Sequence, residues 1–158
     1  NEQYEFAAQR FRDAGLKDQV SVLKKDYRDL RGTFDKLVSI EMIEAVGHHF
    51  YKTFFQTCSR LVKADGLMAL QAITIGDQIF DRHKRSVDFI KRYIFPGSCI
   101  PSVTAISNAV AGSTDLRLVH LEDITPHYAR TLNEWRRRFF ANLEKVRKLG
   151  YSDRKSVV

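Results

Sequence analysis

Cysteine is scarce in this sequence: Cys58 and Cys99 are the only two in 158 residues. That is too few for a disulfide framework and leaves no thiolate cluster for a metal, so reduced thiols in a cytoplasmic chain are expected. Long apolar runs are missing as well. The most hydrophobic window, Leu67 to Ile75, is interrupted by Gln71 and Thr74 and falls far short of the ~18 residues of a membrane-spanning helix. Asn1 to Gly15 is charged and amphipathic, unlike a signal peptide. Repeats, low-complexity tracts, P-loops, zinc ribbons and Ser-His-Asp or cysteine-nucleophile motifs are all absent. Acidic residues are outnumbered 19 to 26 by lysine and arginine, a net charge of +7. That excess bears on partners rather than fold: nucleic acid, an anionic membrane surface, or plain solvation.

What is present is a globular composition, 44% hydrophobic and 11% aromatic, enough for one domain with a core. Tyr4, Ala7, Ala8 and Phe11 share one helical face, and Gly15 suits the residue that ends a helix. Val20 to Leu23 is predicted as a short strand. Phe34 to Ile40 is predicted as a second, apolar without alternation, as a strand covered on both faces would be. Tyr51, Phe54, Phe55, Cys58, Leu61 and Val62 keep helical spacing, and Asp65-Gly66 is expected to turn the chain into a third strand, Leu67 to Ile75. Helices are expected around Arg85 to Tyr93 and after Pro101, with a further strand over Leu116 to Leu121.

The last element reads most clearly. Thr125 is a good N-cap and Pro126 a preferred first helical residue. Tyr128, Leu132, Trp135, Phe139, Leu143 and Val146 then form a stripe that Gly150 ends, with Arg130, Arg136, Arg137, Lys145 and Lys148 opposite. Residues 152–158 are expected to be a disordered tail. Helices and strands in this order predict an α/β fold with a parallel sheet and crossover helices. A doubly wound domain opens on a strand and a glycine-rich turn where a nucleotide-like group docks. Neither precedes the first helix, so the chain is expected to be the later part of a larger protein.

The polar residues converge on one edge of that sheet. Asp26-Tyr27 follows the first predicted strand, Glu41 and Glu44 follow the second, and Gln71 lies near the end of the third. Open α/β sheets bind ligands outside the carboxyl ends of their strands. A carboxylate there accepts hydrogen bonds from a ribose or an amino group, and Tyr27 has a ring to stack on a purine. Asp26, Tyr27 and Arg28 also read as ordinary turn residues, Glu44 as a solvated first-turn carboxylate, and Tyr128 as a core residue. Adjacent His48 and His49 point about 100° apart on a helix, which does not suit a metal. Trp135-Arg-Arg-Arg-Phe-Phe140 suits nucleic acid, an anionic lipid surface or a solvated face alike.

Several ordered phrases carry a resemblance: Gly15-Leu-Lys-Asp18, Asp26-Tyr-Arg-Asp29, Phe34 to Gly47, Leu70 to Ile75, Asp88 to Gly97, Ile100-Pro-Ser102, and His127-Tyr-Ala-Arg-Thr-Leu132 with Trp135. From Gln3 to about Tyr151 the chain resembles the cyclopropane-fatty-acyl-phospholipid synthases. The resemblance implies a Rossmann-like class I methyltransferase sheet, incomplete on its N-terminal side, with residues 1–151 forming part of a catalytic domain. It implies transfer of the S-adenosylmethionine methyl group to the double bond of an unsaturated phospholipid acyl chain, with a bound bicarbonate as general base. By match of position, Glu44 and Tyr128 resemble side chains that hold bicarbonate, and the backbone of Ile73 resembles another of its ligands. Gln71 stands where many members have histidine. Gln3 matches the glutamine closing the motif after the second strand, and Asp26 and Tyr27 match adenine-side contacts. Phe50, Phe54, Phe55, Tyr93 and Phe95 are expected to wall off a carbocation. The partners implied are unsaturated phospholipids at an anionic, inner-membrane surface, with no nucleic acid and a possible homodimer. The family's glycine-rich turn, its lipid-associated N-terminal region, a bicarbonate-site cysteine and a C-terminal aromatic segment are absent, which again predicts a fragment.

Overall fold

Residues 2–151 are described by the computed structural model, so the tail expected over 152–158 lies outside the described residues. Two units are distinct, Asn1–Arg117 and a second beginning at Leu118. In the first unit, helix α1 spans Glu2–Asp13, and Gly15 follows at φ 69°, the left-handed conformation its lack of a Cβ permits. Strand β1 (Phe34–Ile40) leads through the single turn α2 (Ile43–Val46) to α3 (Tyr51–Leu61), which returns the chain to strand β2 (Val62–Gln71). The strands pair in parallel, with Leu37 opposite Met68 and Ile40 opposite Gln71. This is the α/β crossover that the alternation of elements predicts. Helices α4 (Asp77–Arg85) and α5 (Val103–Ala111) complete the unit.

The core lies where α3 meets α5 and one face of the sheet. Tyr51, Phe54, Phe55 and Cys58 form one helical stripe, each at most 4% exposed, and Ile43 and Ala109 are buried with them. Leu37, Met68 and Leu70 pack on them from the strands. Phe54 and Phe55 therefore fill the core rather than wall a substrate site, whereas Tyr93 and Phe95 are exposed. Burial also acts on the Cys58 thiol, pushing it up to about 11. The folded chain is expected to leave Cys58 unmodified by a thiol-alkylating reagent at pH 8 and to expose it only in denaturant. Peptide mass spectrometry after a timed pulse checks this, and rapid native labelling would contradict it.

Several sequence expectations are corrected. Val20 to Leu23 and Leu116 to Leu121 are not strands; a short apolar run becomes one only where a neighbour takes up its backbone hydrogen bonds. β1 is not covered on both faces, since Val38 and Ile40 are more than half exposed while Ser39 between them is buried. Asp65-Gly66 does not turn the chain but sits inside β2, where the register slips between Phe34↔Val62 and Lys36↔Leu67. The ion pair of Lys63 Nζ with Asp35 Oδ1 (2.7 Å) spans this irregularity. A Cβ on Gly66 would lie 2.7 Å from Val62 Cγ1 and 2.8 Å from the Asp35 carbonyl oxygen. Because backbone must then shift, Gly66→Ala is expected to cost about 1–3 kcal/mol, read from the urea midpoint. An unchanged midpoint would rule out this close approach.

The predicted helix over Arg85 to Tyr93 is instead the end of α4 and a π-helical turn, Ile90–Ile94. Between them the Lys91 ammonium donates to the carbonyls of His83 and Ser86 at the α4 terminus, where cations are favoured. In the second unit, α6 (Thr125–Ala141) begins one residue earlier than predicted, with Asp123 Oδ1 accepting from the Thr125 N–H at 2.9 Å. It does not run on to Gly150. Asn142 intervenes, its amide donating back to the Arg138 carbonyl (2.9 Å), and α7 (Leu143–Lys148) follows. Tyr128, Leu132 and Trp135 of the stripe are exposed, and Phe139, Leu143 and Val146 are half-buried. No helix among the described residues is long and apolar enough to cross a membrane.

Candidate active site

Parallel strands end at a common edge, and β1 and β2 end opposite each other at Ile40 and Gln71. The polar residues that follow each strand are therefore brought together. The Glu41 N–H donates to the Gln71 carbonyl at 2.9 Å, and Gln71 Nε2 donates to Glu41 Oε1 at 3.2 Å. Glu44 sits in α2, next to Ile43, whose side chain is wholly buried and fixes the turn to the core. One carboxylate oxygen of Glu44, Oε1, accepts the Ile73 N–H at 2.6 Å. The other, Oε2, is buried with no partner among the described residues.

A second layer fixes the Glu44 backbone. The Cys99 N–H donates to the Glu44 carbonyl, and the Tyr51 hydroxyl donates to the Cys99 carbonyl, each at 2.8 Å. Burial, with the neighbouring Cys99 second, holds the Tyr51 phenol well above its ordinary range, so it stays protonated as a donor. Neither Tyr51 nor Cys99 is singled out by sequence reasoning. Tyr51 lies on the apolar face of α3 and reads as packing; its polar tip, which needs a partner once buried, was the available signal.

Asp26 and Tyr27 lie beside this edge. The Asp26 side chain caps a short 3-10 turn, Tyr27–Asp29, by accepting the Arg28 N–H at 2.9 Å. It also takes the Arg28 guanidinium as a fork, at 2.9 Å to Oδ1 and 2.7 Å to Oδ2. Those side-chain hydrogen bonds, then the backbone one, hold the Asp26 carboxyl down to about 2. Tyr27 packs edge-on against Phe54, with centroids 5.8 Å apart, and lines an open recess of about 340 Å³ with Arg28, Met42, Ala45, Val46 and Phe50. That volume is within the ~300–1,000 Å³ of small-molecule sites. Of the expected apolar walls, only Phe50 lines the recess.

Gln3 is in the first turn of α1. Tyr128 lies in α6, in the second unit, with its ring edge-on to Trp135 at 6.4 Å. The His48 and His49 rings lie 3.9 Å apart. Burial first, then the charges of His49, Lys84 and Lys91, lower the His48 pKa. Among the described residues no group of three or more His, Cys, Asp or Glu is placed to hold a metal ion.

Comparison with known proteins agrees with this architecture. A family profile described as mycolic acid cyclopropane synthetase matches residues 1–157. Tuberculostearic acid methyltransferase UfaA1 of Mycobacterium tuberculosis is 38% identical over 152 residues, 96% of this chain and 36% of that protein. The cyclopropane-fatty-acyl-phospholipid synthase of Escherichia coli K12 is 36% identical over 136 residues, 85% of this chain and 34% of its own. The crystal structure of mycolic acid cyclopropane synthase CmaA1 complexed with SAH and CTAB matches with a TM-score of 0.66 at 30% identity, over 78% of this chain and 46% of that one. The chain spans about a third of the length of these curated relatives. With the profile matched over residues 1–157 and the fold shared with cyclopropane synthases, the chain belongs to the mycolic acid cyclopropane synthetase family, among the S-adenosylmethionine-dependent methyltransferases.

Proposed function

We propose that this chain forms part of an enzyme that transfers a methyl group from S-adenosylmethionine to the double bond of an unsaturated phospholipid acyl chain and closes a cyclopropane ring, with bicarbonate as general base. One observation carries the reading: the Glu44 carboxylate stands at the carboxyl edge of the parallel strands, one oxygen tied to the Ile73 N–H and the other buried with no partner among the described residues. A buried acceptor without a donor is costly unless a ligand supplies one. Bicarbonate fits that demand, since its hydroxyl can donate to Glu44 Oε2. Glu44 and the remaining N–H of Gln71 would hold it, with Ile73 acting through its N–H bond to Glu44 Oε1. The mostly apolar recess lined by Tyr27 suits a purine, and Asp26 and Gln3 are the other proposed cofactor contacts. When bound, S-adenosylmethionine supplies an electrophilic methyl group and bicarbonate accepts the proton lost on ring closure. The chain's own residues would orient the two, and Phe50 is the one expected wall residue that lines the recess.

Anionic, unsaturated phospholipid at the inner membrane surface is the proposed partner, drawn by the net charge of +7. A second reading, a plain methyl branch instead of a ring, is favoured by the 38% identity to a tuberculostearic acid methyltransferase. A non-catalytic chain that binds membrane or a second copy of itself is a third. The test is lipid mass spectrometry on vesicles of unsaturated phosphatidylglycerol with S-adenosylmethionine, using this chain and a version extended to the length of its relatives. Gain of one methylene supports methylation, and proton NMR of the product separates ring from branch. No gain from an extended protein that is folded and binds cofactor would overturn the enzyme reading.

A further inference from the structure

Glu41 is the one non-glycine residue with a positive φ, 48°, among the described residues. L-residues with a side chain enter this left-handed region rarely, and mainly as asparagine, aspartate or histidine. Glycine would adopt it freely, so the glutamate holds a conformation that local sequence opposes. Strained backbone of this kind persists only where its surroundings over-determine it. Here the surroundings are the end of β2. The Glu41 N–H is bonded to the Gln71 carbonyl, and the Glu41 carboxylate accepts from the Gln71 side chain. Main chain and side chain of one residue are thus tied to main chain and side chain of another, one step beyond the last register pair, Ile40 and Gln71.

We propose that Glu41 is a positioning residue that locks the Gln71 amide in one orientation. An amide presents an acceptor at one end and donors at the other, and in isolation it can flip between them. An ionised carboxylate only accepts, so the lock fixes Nε2 towards Glu41 and leaves Gln71 with its Oε1 and its second N–H for other partners. Two residues further on, the Ile73 N–H meets Glu44 Oε1, so the locked amide stands on the segment bonded to the residue whose other carboxylate oxygen has no partner among the described residues. A plain tie between strand ends would need no strained residue, because the backbone bond alone joins them. The inference rests on the proposed methyl transfer for its catalytic consequence, but not for the lock itself.

Two arms test it. In the present chain, rotation and solvent exchange of the Gln71 side-chain amide protons are followed by NMR in the native protein, Glu41→Gly and Glu41→Gln. The expected result is at least tenfold slower rotation in the native chain than in Glu41→Gly, with Glu41→Gln between them. Equal rates in all three would overturn the lock. In the extended protein, Glu41→Gly is expected to lower kcat about tenfold, the scale of a misplaced positioning contact. KM for S-adenosylmethionine should stay within about twofold and the thermal midpoint should not fall, because glycine relieves the strain. A fallen midpoint with unchanged kcat would make Glu41 a structural tie and overturn the proposal. The NMR arm requires no turnover, so it decides the lock even where the lipid assay refutes methylation.

Discussion

Glu44→Gln is expected to reduce methyl transfer by about 10²–10³-fold, the usual effect of removing one proton-handling or charge-stabilising group. The substitution is nearly isosteric. Its carbonyl oxygen can keep the Ile73 N–H, now bonded to Glu44 Oε1 at 2.6 Å, so the local backbone keeps its partner. What changes is the buried Oε2 position, where an NH2 donor replaces a charged acceptor. A ligand that offers a hydroxyl there then meets another donor. The thermal midpoint is expected to change little, since the amide has nearly the volume of the carboxylate and the Ile73 N–H keeps its acceptor. Methylene gain by lipid mass spectrometry and the melting curve together decide the matter. Full activity in Glu44→Gln would remove Glu44 from the chemistry. Loss of activity with loss of folding would show only that the carboxylate is structural, and Glu44→Asp, which keeps the charge but shortens its reach, would then separate the two.

Phe55→Ala is expected to destabilise the chain by about 3–5 kcal/mol. Phe55 is 2% exposed and packs edge-on against Phe54 with ring centroids 5.1 Å apart. It lies in the core shared by α3, α5 and the sheet, where few other large side chains are fully buried. Truncation removes the transfer free energy of a whole ring and leaves a hole that rigid helix and strand backbones cannot close. Against a typical total stability of about 5–15 kcal/mol, the variant should be largely unfolded in mild urea. Circular dichroism through a urea titration gives the figure. A loss below about 1 kcal/mol would mean that α3 does not carry the core.

Those two residues also mark what was legible in the sequence. Phe55 announced itself, because the spacing of Tyr51, Phe54, Phe55 and Cys58 is a local property of one helix. β1 was equally plain, as an apolar run that ends in carboxylates. Glu44 could be placed at a strand end, but its bond to the Ile73 N–H joins positions 29 apart, and no local pattern encodes it. The same limit explains Val20 to Leu23 and Leu116 to Leu121, apolar runs with strand composition and no strand neighbour. It also explains the irregularity at Gly66, where the Asp35 carbonyl oxygen, 31 positions earlier in the chain, comes too close for a Cβ. The left-handed Glu41 was hidden for a different reason. Glycine advertises such a conformation; glutamate does not.

The sheet has two strands among the described residues, and that has a consequence for handling the chain. Each strand keeps one edge whose N–H and C=O groups meet no other strand, and Val38, Ile40 and Leu67 lie more than 60% exposed beside those edges. Open edges of this composition template the addition of further chains. The flanking charges, Asp35 and Lys36 before Val38 and Glu41 after Ile40, are the gatekeepers that oppose it. Purified alone, the protein should therefore have a narrow solubility window. It should aggregate as concentration rises or as salt screens those few charges.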